Sequence, residues 1–256
     1  MKVIDAYWEK RNLGLRVCEI AFKEDDFFDV NTISNIEKLY DYLVAKIPEE
    51  SVPLVHELEN FGFRYLENQQ VIYFLSEELL SIDKAWVDRF QNIKCAIVTD
   101  KIVLESICDH IKKGLYTKGR ISADPEIEDG ISDLRIVNWL KDIFEMGNAL
   151  VYRLIKEENA IGYFVLEKMN NNHINIVQAG IFRGYQDKGL SFLLLYYILK
   201  TAFDFGFKGI FASISTGNRK TLNSISKFVH LTVKQTYIVM RKKVTGNLIT
   251  SKKIID

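Results

Sequence analysis

Ile174-Asn175-Ile176-Val177-Gln178-Ala179-Gly180-Ile181 runs straight into Phe182-Arg183-Gly184-Tyr185-Gln186-Asp187-Lys188-Gly189 and then into an apolar stretch from Leu190. The first segment reads as a strand, the second as a turn, the third as a long helix. A second strand, Gly209 to Ile214, follows, and Ser215-Thr216-Gly217-Asn218 opens a polar helix. The first turn matters most. Backbone N–H groups at a helix start have no intrahelical partner and carry partial positive charge, so an anion settles there. Gly184 and Gly189 remove side chains where backbone must approach a ligand or take unusual dihedrals. Arg183 and Lys188 add positive charge. By its physics the turn is a diphosphate cradle.

Two familiar phosphate-binding patterns do not fit it. A Walker loop ends in Gly-Lys-Ser/Thr, and Lys188-Gly189-Leu190 reverses that order; a dinucleotide fingerprint needs three closely spaced glycines after the first strand of a βαβ unit. Gln186-Asp187-Lys188-Gly189-Leu190-Ser191 instead resembles the pyrophosphate loop of the GNAT superfamily of acyl-CoA N-acyltransferases, with Ser191 at the last small position. Ser215 to Leu222 falls one helix and one strand later, where that superfamily places an Asn contacting coenzyme A; here it is Asn218. Within the superfamily, Gly184 to Leu190, Thr216-Gly217-Asn218 and the closing Gln235 to Arg241 are similar to the TDP-fucosamine acetyltransferase type. Trp8, Leu13 to Val17 and Asn60 to Glu67 are similar to its N-terminal half, in pattern rather than in diagnostic residues.

The resemblance implies an α/β, mixed α+β fold: a mainly antiparallel central sheet flanked by helices, preceded by a degenerate GNAT-like unit. It implies acetyl-CoA as acyl donor and direct attack of a primary amine on the thioester. The amine that this resemblance implies is an amino sugar carried on a nucleotide. Pantetheine would pair like an added strand with Val177, Ala179, Gly180 and Ile181. The diphosphate would sit on Gly184, Tyr185, Gln186, Asp187, Lys188, Gly189, Leu190 and Ser191. Backbone N–H groups near Ala179 to Ile181 would hold the oxyanion. The chain departs from the family at the thiolate's proton donor, where a Tyr is usual and Ile225 stands. Ser224, Ser226 and Tyr237 are the nearest hydroxyls, with Tyr237 and Ser224 the candidates for that role. Arg120 is the candidate for a substrate phosphate and His230 for the acceptor side; both have a surface-charge alternative. Two alternatives stay open: an acyl-CoA-binding module with little or no turnover, and an acetyltransferase for a peptide or small-molecule amine.

Composition narrows the rest. At 256 residues the chain has room for one large domain or two modest ones. Its 34 Lys/Arg balance 34 Asp/Glu, so no global field recruits nucleic acid or a membrane surface. Three cysteines, Cys18, Cys95 and Cys108, are too scattered for a disulfide framework or a metal site, and no metal is expected. The N-terminus lacks the apolar core of a signal peptide, and the run Leu190 to Ile198 is far shorter than the roughly 20 residues that span a bilayer. A cytoplasmic protein is expected, with acetyl-CoA and a small amine as partners and homodimer formation allowed.

The chain reads as a degenerate unit over 1–115 and a catalytic domain over 116–256. In the first, Val17 to Phe22 reads as a strand and Thr32 to Ile47 as an amphipathic helix capped by Asn31 or Thr32. Phe63 to Leu75 reads as paired strands around Asn68-Gln69-Gln70, Cys95 to Val98 as a strand, and Ile102 to Lys112 as a helix. In the second, a helix over Ile131 to Met146 precedes strands Ala149 to Ile155, Ala160 to Glu167 and His173 to Ile181. Glu157-Glu158-Asn159 and Asn170-Asn171-Asn172 turn between those strands. The last strand is Leu231 to Arg241, and the tail from Thr245 frays.

Overall fold

The structure, a computed structural model, describes residues 1–186 and 188–244. In chain order it begins β1 (Lys2–Asp5), α1 (Glu9–Leu13), β2 (Val17–Ala21), α2 (Val30–Glu37), β3 (Tyr42–Pro48) and α3 (Val52–Asn60). Next come β4 (Arg64–Leu75), a 3-10 turn at Ser76–Ser81, α4 (Lys84–Asp88), β5 (Ile93–Ile97), α5 (Lys101–Ile111) and α6 (Arg120–Ala123). The chain continues with α7 (Ile131–Met146), β6 (Ala149–Lys156), β7 (Asn159–Lys168), β8 (His173–Ile181) and α8 (Leu190–Asp204). It finishes with β9 (Gly209–Ser215), α9 (Arg219–Ser226) and β10 (Thr232–Lys243).

Two compact units emerge. One comprises Met1–Glu67 with the chain from Tyr237 onward, the other Asn68–Thr236. The boundary expected near Leu115 falls inside the second unit. The physical reason is pairing: β5 lies antiparallel to β6 from Ile93↔Lys156 to Ile97↔Tyr152, and α5 packs with α7 around Ile107, Ile111, Val137 and Leu140.

In the first unit the strands run in the order β1-β2-β3-β10. β2 and β3 are parallel, and β10 closes antiparallel on β3, with Tyr237↔Pro48 and Lys243↔Tyr42 as end partners. Thr32 to Ile47, expected as one helix, is instead α2 followed by β3. Leu43, Val44, Ala45 and Ile47 are all buried. A strand covered on both faces has a continuous apolar run, and periodicity alone cannot distinguish that from a buried helix. Asp41 marks the break, accepting hydrogen bonds from Arg16 at 2.7 and 3.0 Å. The cap of α2 is Asp29, whose carboxylate accepts from Asn31 N at 3.1 Å.

The second unit orders its strands β4-β9-β8-β7-β6-β5, all antiparallel neighbours except β8–β9, which run parallel. The mixed sheet flanked by helices is the GNAT fold. Phe63 to Leu75, expected as a hairpin, is the single strand β4: Gln69 and Gln70 sit in the ladder, paired with Ser215 and Ile214 of β9. The expected turns at Glu157–Glu158 and Asn171–Asn172 are present, with positive φ at all four residues. One core, including Ile72, Leu154, Phe164, Leu193 and Ile198, gathers around α8. The other, including Tyr163, Val165 and Phe182, gathers around α5 and α7. Burial raises the Cys18 and Cys108 thiols to about 11 and Cys95 to about 12, so all three remain protonated near neutrality. No helix among the described residues is long and apolar enough to cross a membrane. Among those residues no cluster of His, Cys, Asp or Glu is arranged to hold a metal.

Candidate active site

β8 carries two irregularities within a few residues of each other. Its register with β7 runs Gly162↔Ile181 to Val165↔Gln178, then resumes at Leu166↔Ile176. Val177 is therefore an extra residue on β8, a bulge that turns the strand and re-aims its backbone. The parallel pairing of β8 with β9 covers only His173↔Gly209 to Ile176↔Ala212. Beyond that point β9 continues along β4 as far as Ser215↔Gln69, while among the described residues Val177 to Ile181 have no strand partner on the β9 side. The two strands splay apart. An interior strand thus presents a stretch without a neighbouring strand, able to accept an extended ligand as an added strand.

A buried polar chain adjoins this strand. Tyr163 Oη donates to Gln178 Oε1 at 2.9 Å, and Gln178 Nε2 donates to the Ile136 carbonyl at 3.3 Å. With its proton committed to Gln178, Tyr163 accepts from Tyr116, whose Oη lies 2.6 Å away and also 3.3 Å from the Ala179 carbonyl oxygen. Desolvation pushes both phenols upward, so both stay neutral and act as hydrogen-bond groups rather than bases. Leu115 presses on the edge from the same neighbourhood: a Cβ on Gly180 would lie 3.0 Å from Leu115 Cδ2. Tyr163 and Gln178 escape a sequence-level search because a buried Tyr or Gln on a strand looks like ordinary core.

Replacing Tyr163 with Phe is expected to destabilise the protein by about 1–3 kcal/mol, the penalty for leaving buried partners unsatisfied. Tyr7→Phe, at a ring 70% exposed, should leave stability unchanged. Denaturant unfolding of the two variants compares them.

Directly after β8 comes the cradle. Gly184 and Gly189 have φ of +87° and +75°, a region that side-chain-bearing residues rarely enter. Gln186 Nε2 donates to the Ile181 carbonyl at 3.1 Å and Lys188 Nζ to the Gly184 carbonyl at 2.7 Å. Both expected ligand-binding side chains thus brace the turn itself. Tyr185 packs its half-buried ring against both cores, with Lys188 Nζ 5.5 Å from the ring centre. Asp187 lies outside the described residues. α8 starts at Gly189 with no side-chain cap, so its first N–H groups retain the capacity to bind an anion. Leu190 is buried and Ser191 exposed. Arg183 leans away toward Gly114, where a Cβ would meet its Nη2 at 2.6 Å.

Asn218 occupies the N-cap position of α9 without making a side-chain cap. Its N–H donates to the Ser215 carbonyl at 2.9 Å, and Gly217 N donates to Ser215 Oγ at 3.3 Å. Ile225 is 8% exposed in the core around α8, so the position counted as the family's Tyr faces inward, while its neighbour Ser224 is half-buried. His230 is exposed between α9 and β10, and Arg120 is half-buried at the start of α6. Tyr237 belongs to the first unit, opposite Pro48, whereas splay and cradle belong to the second.

Residues 121–227 match the sequence profile of the acetyltransferase (GNAT) family. Among solved structures, the chain is similar to a functionally unknown conserved protein from Staphylococcus epidermidis ATCC 12228. The identity there is 11% and the TM-score 0.58, over 84% of this chain and 77% of that one. It is similar to a GCN5-related N-acetyltransferase from Kribbella flavida at 14% identity and TM-score 0.58, over 91% of this chain and 82% of that one. A tandem GNAT protein from the clavulanic acid biosynthesis pathway aligns at 9% identity and TM-score 0.56, over 85% and 70% of the two chains. A search of curated proteins finds no match. At such identities the likeness is one of fold.

Proposed function

Starting from a chain with the GNAT fold whose residues 121–227 match that family, we propose that the protein is an acetyl-CoA-dependent N-acetyltransferase acting on a primary amine. The observation that carries this is the freed edge of β8, Val177 to Ile181, leading directly into an uncapped helix start. Pantetheine is an extended chain with two amides, suited to pair along that edge. The diphosphate that follows it is suited to the cradle of Gly184 to Ser191.

In the proposed reaction the neutral amine nitrogen attacks the thioester carbonyl carbon, forming a C–N bond. The carbonyl oxygen becomes an oxyanion, stabilised by backbone N–H groups of Ala179 to Ile181. The C–S bond then breaks, the nitrogen loses a proton and the coenzyme A thiolate gains one. Alignment of the two reactants supplies on the order of 7 kcal/mol of the barrier. Asn218 is assigned to coenzyme A. Ser224 and Tyr237 are assigned as candidate proton donors; losing such a donor lowers the rate by only about 10² to 10⁴-fold, so water can serve in their place. The acceptor proposed is a nucleotide-linked amino sugar, with Arg120 on its phosphate and His230 on the acceptor side. That narrower choice rests on sequence resemblance.

The test is release of free thiol from acetyl-CoA in the presence of a panel of amines. Turnover with a nucleotide amino sugar, competitively inhibited by a nucleoside diphosphate, is the expected result. Tight acetyl-CoA binding without turnover on any amine would make the protein an acyl-CoA-binding module instead.

A further inference from the structure

Beside the cradle lies an aromatic corner contributed by α4 and the residues after it. Trp86 is 43% exposed, although its ring packs against Phe192 and Phe228 at centroid distances of 5.7 and 6.1 Å. Phe192 and Phe228 themselves meet at 4.3 Å. Arg89 lays its guanidinium over the Trp86 ring, with Cζ 4.6 Å from the centroid, and is itself exposed. Phe90 joins this corner to the cradle: a Cβ on Gly189 would lie 3.8 Å from Phe90 Cζ. The Phe90 N–H donates to the Val87 carbonyl at 2.9 Å and its carbonyl accepts from Ile93 N at 2.9 Å, so the turn is pinned at both ends. Aromatic surface and an exposed guanidinium therefore adjoin the point where a diphosphate would sit.

We propose that Trp86 and Arg89 form the recognition site for the adenosine 3′-phosphate end of the acyl-CoA donor; this rests on the acyl-CoA assignment of the cradle. A purine is flat and stacks on an aromatic ring or on a guanidinium plane. A 3′-phosphate is a dianion that a guanidinium fork grips through paired hydrogen bonds. Arg89, already placed over the Trp86 ring, offers its guanidinium plane to the base and its N–H edge to the phosphate. The corner thus selects coenzyme A over ligands that share its diphosphate but lack the 3′-phosphate. It comes from the segment between β4 and β5, upstream of the matched residues 121–227, so donor selection would use chain outside that family segment.

The experiment is calorimetric titration of the full-length chain with coenzyme A and with 3′-dephospho-coenzyme A, for wild type, Arg89→Ala and Arg89→Lys. A charge-assisted hydrogen bond of about 1.5–3 kcal/mol corresponds to roughly 10- to 100-fold in affinity. Wild type should prefer coenzyme A by at least about tenfold, Arg89→Ala should bind both ligands alike, and Arg89→Lys should fall between. In parallel, coenzyme A should change the tryptophan emission of wild type but not of Trp86→Phe, since Trp8 and Trp139 are the other indoles. A wild-type preference that survives in Arg89→Ala overturns this proposal and leaves the acyl-CoA assignment standing. Wild type that binds neither ligand overturns both.

Discussion

Gly189→Asp is expected to abolish acetyl-CoA binding, lowering affinity by at least about 100-fold. Three effects act together. The residue sits at φ +75°, where a side chain costs about 1–2 kcal/mol of backbone strain, somewhat less for Asp. A carboxylate at the start of α8 occupies the favourable potential that the ligand needs. Its charge also faces the diphosphate at short range, where even a screened repulsion is on the order of a kcal/mol or more. Gly189→Ala separates strain from charge. A methyl group has room, since its nearest neighbour, Phe90 Cζ, would lie 3.8 Å away; Ala should therefore lower stability by about 1 kcal/mol and leave most binding intact. Titration calorimetry with acetyl-CoA reads both variants. Unchanged affinity in the Asp variant would move the diphosphate elsewhere on the protein.

The second large effect concerns stability. In Gly162→Ala, the new Cβ would fall 2.8 Å from the Gly180 carbonyl oxygen and 2.8 Å from Ile181 Cδ1. The first of these is backbone, so β7 or β8 has to move. Overpacking of this kind costs about 1–3 kcal/mol, which lowers Tm by roughly 2 to 12 °C for a domain of this size. The displacement falls on Gly180 and Ile181, the edge assigned to the thioester, so acetyl-CoA affinity should fall as well. Gly217→Ala is the control: it lacks a positive φ, and its Cβ would meet only Ser215 Oγ at 3.5 Å. Thermal unfolding of the two variants should separate them clearly. Equal melting temperatures would show that the sheet relaxes around the methyl group without loss.

How much could be foreseen depended on how local each signal was. The strand ending at Ile181, the turn with Gly184 and Gly189, and the helix from Leu190 are successive in sequence, and each carries its own chemical mark. They were legible. So was the helix Ile131–Met146, where a 3.6-residue spacing persists over several turns. β3 was not, because Tyr42 to Pro48 is apolar but for Lys46 and matches a buried helix as well as a buried strand. β4 carries a misleading local signal, because Asn68-Gln69-Gln70 brings turn-like residues into the ladder with β9. The pairing of β10 with β3 joins residues 237 and 48, and no property of either segment names its partner. Tyr116 and Tyr163 carry no local mark for a related reason: their meaning lies in a 2.6 Å contact between residues 47 positions apart.

That long-range pairing also sets a timetable. A ribosome delivers β1, β2 and β3 early and β10 last, with Asn68–Thr236 in between. At about 5–20 residues per second, roughly 10 to 40 seconds separate the emergence of Pro48 from that of Tyr237. Throughout that interval the β10-facing edge of β3 awaits its closing strand, beside Leu43, Ala45 and Ile47 that mature packing buries completely. The first unit to be synthesised is the last to be completed. A nascent chain stalled before Thr232 would therefore present an unfinished β-edge to chaperones and to its own neighbours on the polysome.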